Sequence, residues 1–178
     1  MFRPEGIYAA MMTPVDRELR PDEENLRRYT EMCIEGGVNG LFPVSSVGEF
    51  IHFSMDEKKR IMEIVMDQAQ GRVPVLPGAS DTNPANCIEL ANFARSLGCQ
   101  GVVICPPYFY PVSQDLLKRH YEVIVEHMPD FPLVLYSIPG FSTPISYDVV
   151  EELSLQKNIV ALKDSSGSTV DLINYLDM

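Results

Sequence analysis

The sequence predicts an α/β fold of parallel strands covered by helices, and three observations carry that expectation. Short apolar runs recur at 7–13, 40–44, 73–78, 101–105, 133–136 and 159–162. Between them lie stretches with apolar residues at helical spacing. Each of those stretches opens on a recognisable start signal. Continuous apolar strands alternating with amphipathic helices bury both faces of a parallel sheet.

After the first run, Asp22 precedes Leu26, Tyr29 and Cys33 at helical spacing, and Gly36-Gly37 marks the helix end. After the second, Ser54 and Glu57 form a capping box ahead of Ile61, Ile64, Val65 and Gln68. After the third, Asn83-Pro84 supplies a cap and then proline at the first helical position, and Gly98 closes that helix. Ser113 opens a helix carrying Leu117, Tyr121, Ile124 and Met128, and Ser146 opens one carrying Val149, Val150 and Leu153. A last helix starts at Ser168 and runs toward Met178.

Two architectures suit six βα units in a single domain spanning 1–178: an open doubly wound sheet, or a (β/α)8 TIM barrel represented by about six of its units. The first βα turn has no G-x-G-x-x-G and the chain has no P-loop, which disfavours a nucleotide-binding sheet. A barrel gathers its functional groups at the C-terminal ends of the strands. Here the second strand ends in Pro43-Val44-Ser45-Ser46-Val47-Gly48-Glu49 and the fourth in Cys105-Pro106-Pro107-Tyr108-Phe109-Tyr110-Pro111. The fifth ends in Tyr136-Ser137-Ile138-Pro139-Gly140 and the sixth in Lys163. Hydroxyls, phenols and one amine therefore share a rim, which favours the barrel and a site on it.

Lys163 is the most informative of these residues. It closes the run Ile159-Val160-Ala161-Leu162 and opens Asp164-Ser165-Ser166-Gly167. An amine at a strand tip beside apolar walls is disfavoured in its charged form, and a neutral amine is what imine chemistry needs.

Composition excludes other classes. The chain has 178 residues, 46% apolar and 22% charged, enough for one domain with a core. A net charge of −11 opposes nucleic-acid binding. The absence of an 18-residue apolar run opposes a membrane span, and the start Met1-Phe2-Arg3-Pro4-Glu5 lacks a signal-peptide core. A cytoplasmic location is expected. Cys33, Cys87, Cys99 and Cys105 make no C-x-x-C pair and read as buried thiols. His52, His120 and His127 include no i, i+4 pair, so no metal is expected, and His120 and His127 are expected at the surface or its boundary.

The order G-L-F-P-V-S-S-V-G-E, P-P-Y-F-Y-P, Y-S-I-P and A-L-K-D-S-S-G resembles the dihydrodipicolinate synthase / N-acetylneuraminate lyase family along essentially the whole chain. These are class I, Schiff-base-forming barrel enzymes acting on pyruvate or other 2-oxo acids. The resemblance implies that Lys163 forms the imine with the substrate C2 ketone and that Tyr136 shuttles protons. It implies that Ser46 helps hold the substrate carboxylate and links to that tyrosine, with backbone N–H groups at Ser46 and Val47 completing the pocket. Ser45, Val47, Tyr108 and Tyr110 complete the expected substrate-binding set, Gly48 is expected to permit a tight turn, and Glu49 is expected to be structural. No cofactor is implied, because the covalent imine on Lys163 is the electron sink. A homo-oligomer, dimer or tetramer, is implied.

The chain departs from the family at instructive places. Ser45 stands for the usual glycine, Val47 for the second hydroxyl residue, and Ser137 for the asparagine of Y-N-x-P. Phe141 occupies the position where the synthase branch has an arginine for a second carboxylate, and Phe109 replaces the second tyrosine of that branch. These changes favour a lyase of 2-oxo-3-deoxy sugar acids over dihydrodipicolinate synthesis. A full barrel takes about 250 residues, so strands seven and eight are expected to lie outside this chain. It would then be a fragment, a subunit completed by another chain, or a truncated relative that binds 2-oxo acids without turnover.

Overall fold

Strands and helices alternate along residues 1–177, which the computed structural model describes. The order is β1 (Tyr8–Ala10), α1 (Glu23–Glu35), β2 (Gly40–Phe42), a 3-10 turn (Phe50–His52), α2 (Met55–Ala69), α3 (Pro84–Ser96) and β3 (Val102–Ile104). It continues with α4 (Gln114–His127), β4 (Leu133–Ser137), α5 (Tyr147–Ser154), β5 (Ile159–Asp164) and α6 (Thr169–Leu176). Residue packing divides the chain into two units.

One unit comprises Pro4–Ala79 and Leu90–Val102. Its strands β1 and β2 run parallel, with Tyr8 opposite Gly40 and Ala10 opposite Phe42. The expected strand at 73–78 is reduced to one parallel bridge, Leu41 to Val75. The cause lies on its neighbour. Leu41 N–H donates to Pro74 O, and Leu76 and Gly78 donate to Leu41 O and Pro43 O. The next ladder bond would require a donor from Pro43, which has no N–H. Helix α1 starts at Asp22, whose carboxylate accepts from Asn25 N–H, and buries Leu26, Thr30 and Cys33. Helix α2 starts with the expected capping box of Ser54 and Glu57 and buries Ile61, Met62, Ile64 and Val65. Each fully buried aliphatic side chain contributes about 1.5–3 kcal/mol. Glu23 of α1 accepts from Arg27 of its own helix and from Arg60 of α2, and Glu31 accepts from Arg72, just past the end of α2.

The other unit comprises Met1–Arg3, Ser80–Glu89 and Val103–Met178. Its sheet has the order β3-β4-β5. Strands β4 and β5 are parallel, with Leu135 opposite Leu162 and Tyr136 opposite Lys163. All five residues of β4 are buried, as expected of a central parallel strand. Strand β5 is only half-buried and continues to Asp164, so Lys163 lies inside the strand rather than just after it. Ser113, Ser146 and Ser168 cap α4, α5 and α6 as their positions predict. The buried Tyr121 of α4 donates its hydroxyl to Ile104 O at 2.9 Å, and Tyr136 N–H bonds the same phenol oxygen. One side chain thus fastens β3 to β4 at the level of Tyr136.

The four cysteines are buried free thiols, as expected. His127 is exposed, but His120 is not at the surface. The residue is 7% exposed, and Nε2 has no hydrogen-bond partner. It falls on the inward stripe of α4 with Leu117, Tyr121 and Ile124, where the helical period overrides its polarity. Burial lowers its pKa to about 4, against a smaller opposing effect of Asp81.

Candidate active site

Lys163 and Tyr136 are neighbours by register, being paired residues at the C-terminal ends of adjacent parallel strands. The Lys163 Nζ lies 3.4 Å from the centroid of the Tyr136 ring and donates to Ser165 Oγ at 3.2 Å. An amine over a phenol face gains from the ring quadrupole. Ser165 N–H donates to Ser137 O, so the turn after β5 is tied back to β4. The turn is stiffened further by Asp164, which accepts from Ser166 N–H and Ser166 Oγ. The lysine is thus held between a phenol and a hydroxyl, on a strand end fixed by backbone bonds.

Two further loops of this unit reach the same C-terminal rim, since strands β3, β4 and β5 share one direction. After β3, Tyr108 forms an antiparallel bridge with Ser142, from the loop after β4. Its ring packs on Phe141 with centroids 5.3 Å apart. Burial raises the Tyr108 phenol above its ordinary range, with Asp81 adding to the effect. Tyr110 is largely exposed and meets Phe109 edge to face at 4.7 Å. Phe109 itself is held at φ +80, a conformation costly for a residue with a side chain.

The remaining candidates belong to the other unit, on the loop after β2. Val44 turns the chain at φ +55, an outlier for a β-branched residue. That turn is possible because residue 78 is glycine: a Cβ there would lie 2.1 Å from Val44 O. The buried Ser45 hydroxyl donates to Met11 O at 2.9 Å and accepts from Gly48 N–H at 3.1 Å. Gly48 is required by space, since a Cβ would lie 2.7 Å from Met11 O. Ser46 is half-buried and Val47 is 55% exposed, which leaves both at the open side of the turn. The hydroxyl of Ser45 is therefore occupied by the turn, whereas Ser46 and Val47 occupy its outer corner.

The profile of the dihydrodipicolinate synthetase family matches residues 3–177. The chain belongs to that family. A 4-hydroxy-tetrahydrodipicolinate synthase from Pelobacter propionicus is 37% identical over 180 residues, covering 100% of this chain and 60% of the relative. The 2-keto 3-deoxygluconate aldolase from Picrophilus torridus superimposes with a TM-score of 0.91 at 28% identity, covering 99% of this chain and 63% of that one. A prophage protein of the dihydrodipicolinic acid synthase family from E. coli, solved in complex with pyruvate, gives 0.90 at 30% identity over 96% of this chain and 58% of that one. The chain thus spans about 60% of the length of the relatives it matches. Its strands and helices are part of a (β/α)8 barrel fold, the fold of these structural neighbours. Members of the family are class I aldolase and synthase enzymes. Among the described residues, no helix is long and apolar enough to cross a membrane.

Proposed function

We propose that this chain carries the imine-forming centre of a class I aldolase acting on pyruvate or a related 2-oxo acid. The observation that supports it best is the Lys163 amine over the Tyr136 ring, on paired strand ends. In this reading the amine attacks the ketone carbon at C2, and loss of water leaves a protonated imine. A C3 proton then passes to solvent water, and the C–H electron pair forms the C2=C3 bond as the imine π pair moves onto nitrogen, giving an enamine. Carbon C3 of the enamine attacks an aldehyde carbon. The aldehyde oxygen takes up a proton from Tyr136, whose ring centre lies 3.4 Å from the amine. Water hydrolyses the new imine, releasing product and the free amine. Cleavage runs the same steps backwards. Ser46 is assigned to the substrate carboxylate by likeness to the family, with N–H groups at Ser46 and Val47. The covalent imine takes the place of a cofactor.

The choice of partner separates two readings. Phe141, packed against Tyr108, brings no charge to the rim, which supports a lyase of 2-oxo-3-deoxy sugar acids. Relatives named 4-hydroxy-tetrahydrodipicolinate synthase support a condensation instead. Both share the imine. Reduction with borohydride in the presence of pyruvate tests it, through the mass of the Lys163 peptide. A residual mass equal to that of untreated peptide would sink the proposal. The assembly that carries out turnover is proposed to be a homo-oligomer.

A further inference from the structure

Strand β4 is the middle strand of its sheet, so the backbone of Tyr136 is located from both sides. On the β5 side the fastening is ordinary. Tyr136 faces Lys163 in register, and Ser165 N–H donates to Ser137 O at 2.9 Å. On the β3 side the backbone donors run out just past Ile104. The Cys105 N–H is taken by Ser80 Oγ at 2.9 Å, and Pro106 and Pro107 have no N–H.

A side chain takes over there. Tyr121 reaches in from α4 and donates its phenol to Ile104 O at 2.9 Å, while Tyr136 N–H bonds the same phenol oxygen. A phenol gives one proton and accepts in turn, so both roles are filled. Burial raises its pKa well above the ordinary value, which keeps the proton in place and the relay intact. The ring is fully buried on the inward stripe of α4, and the His120 ring meets it edge to face with centroids 5.6 Å apart. Phenylalanine would fill the same space. The hydroxyl is what ties the backbone of Tyr136 to β3, and a hydroxyl buried this deeply is tolerated only when it is so bonded.

The place of that backbone bears on the chemistry, because Tyr136 works at short range. Its ring centre lies 3.4 Å from the Lys163 amine, and its hydroxyl has to meet an oxygen carried by atoms bonded to that amine. Misplacing such a group by about 1 Å lowers a rate by on the order of 10²-fold. Without the Tyr121 hydroxyl, a buried N–H and a buried carbonyl both need new partners, and β4 has to shift or admit water to supply them.

We propose that Tyr121 is a positioning residue for the imine centre, its hydroxyl holding the Tyr136 backbone at the place from which the Tyr136 phenol delivers its proton. The inference rests on the proposed imine at Lys163. Tyr121 itself exchanges no proton. In the step it serves, enamine C3 bonds to the aldehyde carbon, the carbonyl π pair forms the new O–H bond with the Tyr136 proton, and the phenolate left on Tyr136 regains a proton from water.

A double-mutant cycle tests this role. The unaltered chain, Tyr121→Phe, Tyr136→Phe and the double variant are mixed with pyruvate, then with glyceraldehyde or succinic semialdehyde, and quenched with borohydride over time. The mass of the Lys163 peptide separates pyruvate alone from pyruvate joined to an aldehyde. No pyruvate adduct in the unaltered chain overturns the imine reading and the positioning role with it. Pyruvate adduct without joined adduct from either aldehyde leaves the imine reading standing and overturns the positioning role. Where joined adduct forms, Tyr121→Phe is expected to keep its rate of pyruvate adduct formation within about twofold and to join the aldehyde about ten- to a hundredfold more slowly. Added to Tyr136→Phe, the same substitution should change the joining rate by less than about twofold, because the phenol it positions is already gone. The Tyr136 amide, followed by NMR, should exchange its hydrogen faster in Tyr121→Phe. Equal slowing in both backgrounds, loss of the pyruvate adduct in Tyr121→Phe, an unchanged joining rate or an unchanged amide exchange overturns the proposal.

Discussion

The Lys163 amine stands 3.4 Å from the centre of the Tyr136 ring because the two residues are register partners on β5 and β4. Parallel pairing places neighbouring side chains on the same side of the sheet. A lysine and a tyrosine at paired positions therefore meet without any loop having to bring them together.

The ring and the phenol of Tyr136 can be separated by substitution. Tyr136→Phe retains the aromatic face beneath the amine and removes the proton. Formation of the pyruvate adduct should persist, while carbon–carbon bond formation slows by about 10²–10⁴-fold, the range for loss of a positioned acid or base. Rapid-quench trapping of the two adduct masses over time distinguishes the steps.

Ser45 is expected to act on stability. Its hydroxyl bridges Met11 O and Gly48 N–H inside the turn. Ser45→Ala leaves a buried carbonyl and a buried N–H short of a partner and should cost about 1–3 kcal/mol in denaturant unfolding. Adduct formation per folded molecule should be unchanged. A loss of adduct at full folding would return Ser45 to the substrate.

His120 makes the fold sensitive to acid. Its folded pKa of about 4 lies below the ordinary 6.5 because the ring is buried. Between those values the unfolded chain binds the proton and the folded chain does not, so stability present above pH 6.5 is lost as the pH falls toward 4. The full difference is on the order of 3 kcal/mol. His120→Leu should flatten the dependence of the unfolding midpoint on pH across this window, whereas an unchanged slope would assign the acid sensitivity to other groups.

The Cys99 thiol is pushed up to about 12 by burial. Alkylation with iodoacetamide at pH 8 should therefore leave Cys99 unmodified in the folded protein and label it fully after denaturation, as peptide masses would report.

Much of this arrangement is legible in the sequence because it rests on local signals. Apolar runs ending in Tyr136 and Lys163 identify two parallel strand ends, and serine caps at positions 54, 113, 146 and 168 locate four helices. What escapes the sequence is non-local. The run at 73–78 has the composition of a strand, yet its ladder stops at a proline on another segment, Pro43. His120 reads as a boundary residue until the helix is docked and its stripe turns inward. Ser45 and Ser46 are adjacent and chemically identical, and only the turn at Val44 gives one an internal role and leaves the other at the open corner. The Tyr108–Phe141 pair joins residues from two different loops, which no spacing rule anticipates.

The central claim is that Lys163 forms an imine with pyruvate. Borohydride reduction in the presence of pyruvate, followed by peptide mass spectrometry, measures it directly. A pyruvate-derived adduct is expected on the peptide bearing Lys163, with its complete loss in Lys163→Ala. An unmodified Lys163 peptide, or an adduct that survives in Lys163→Ala, would contradict it.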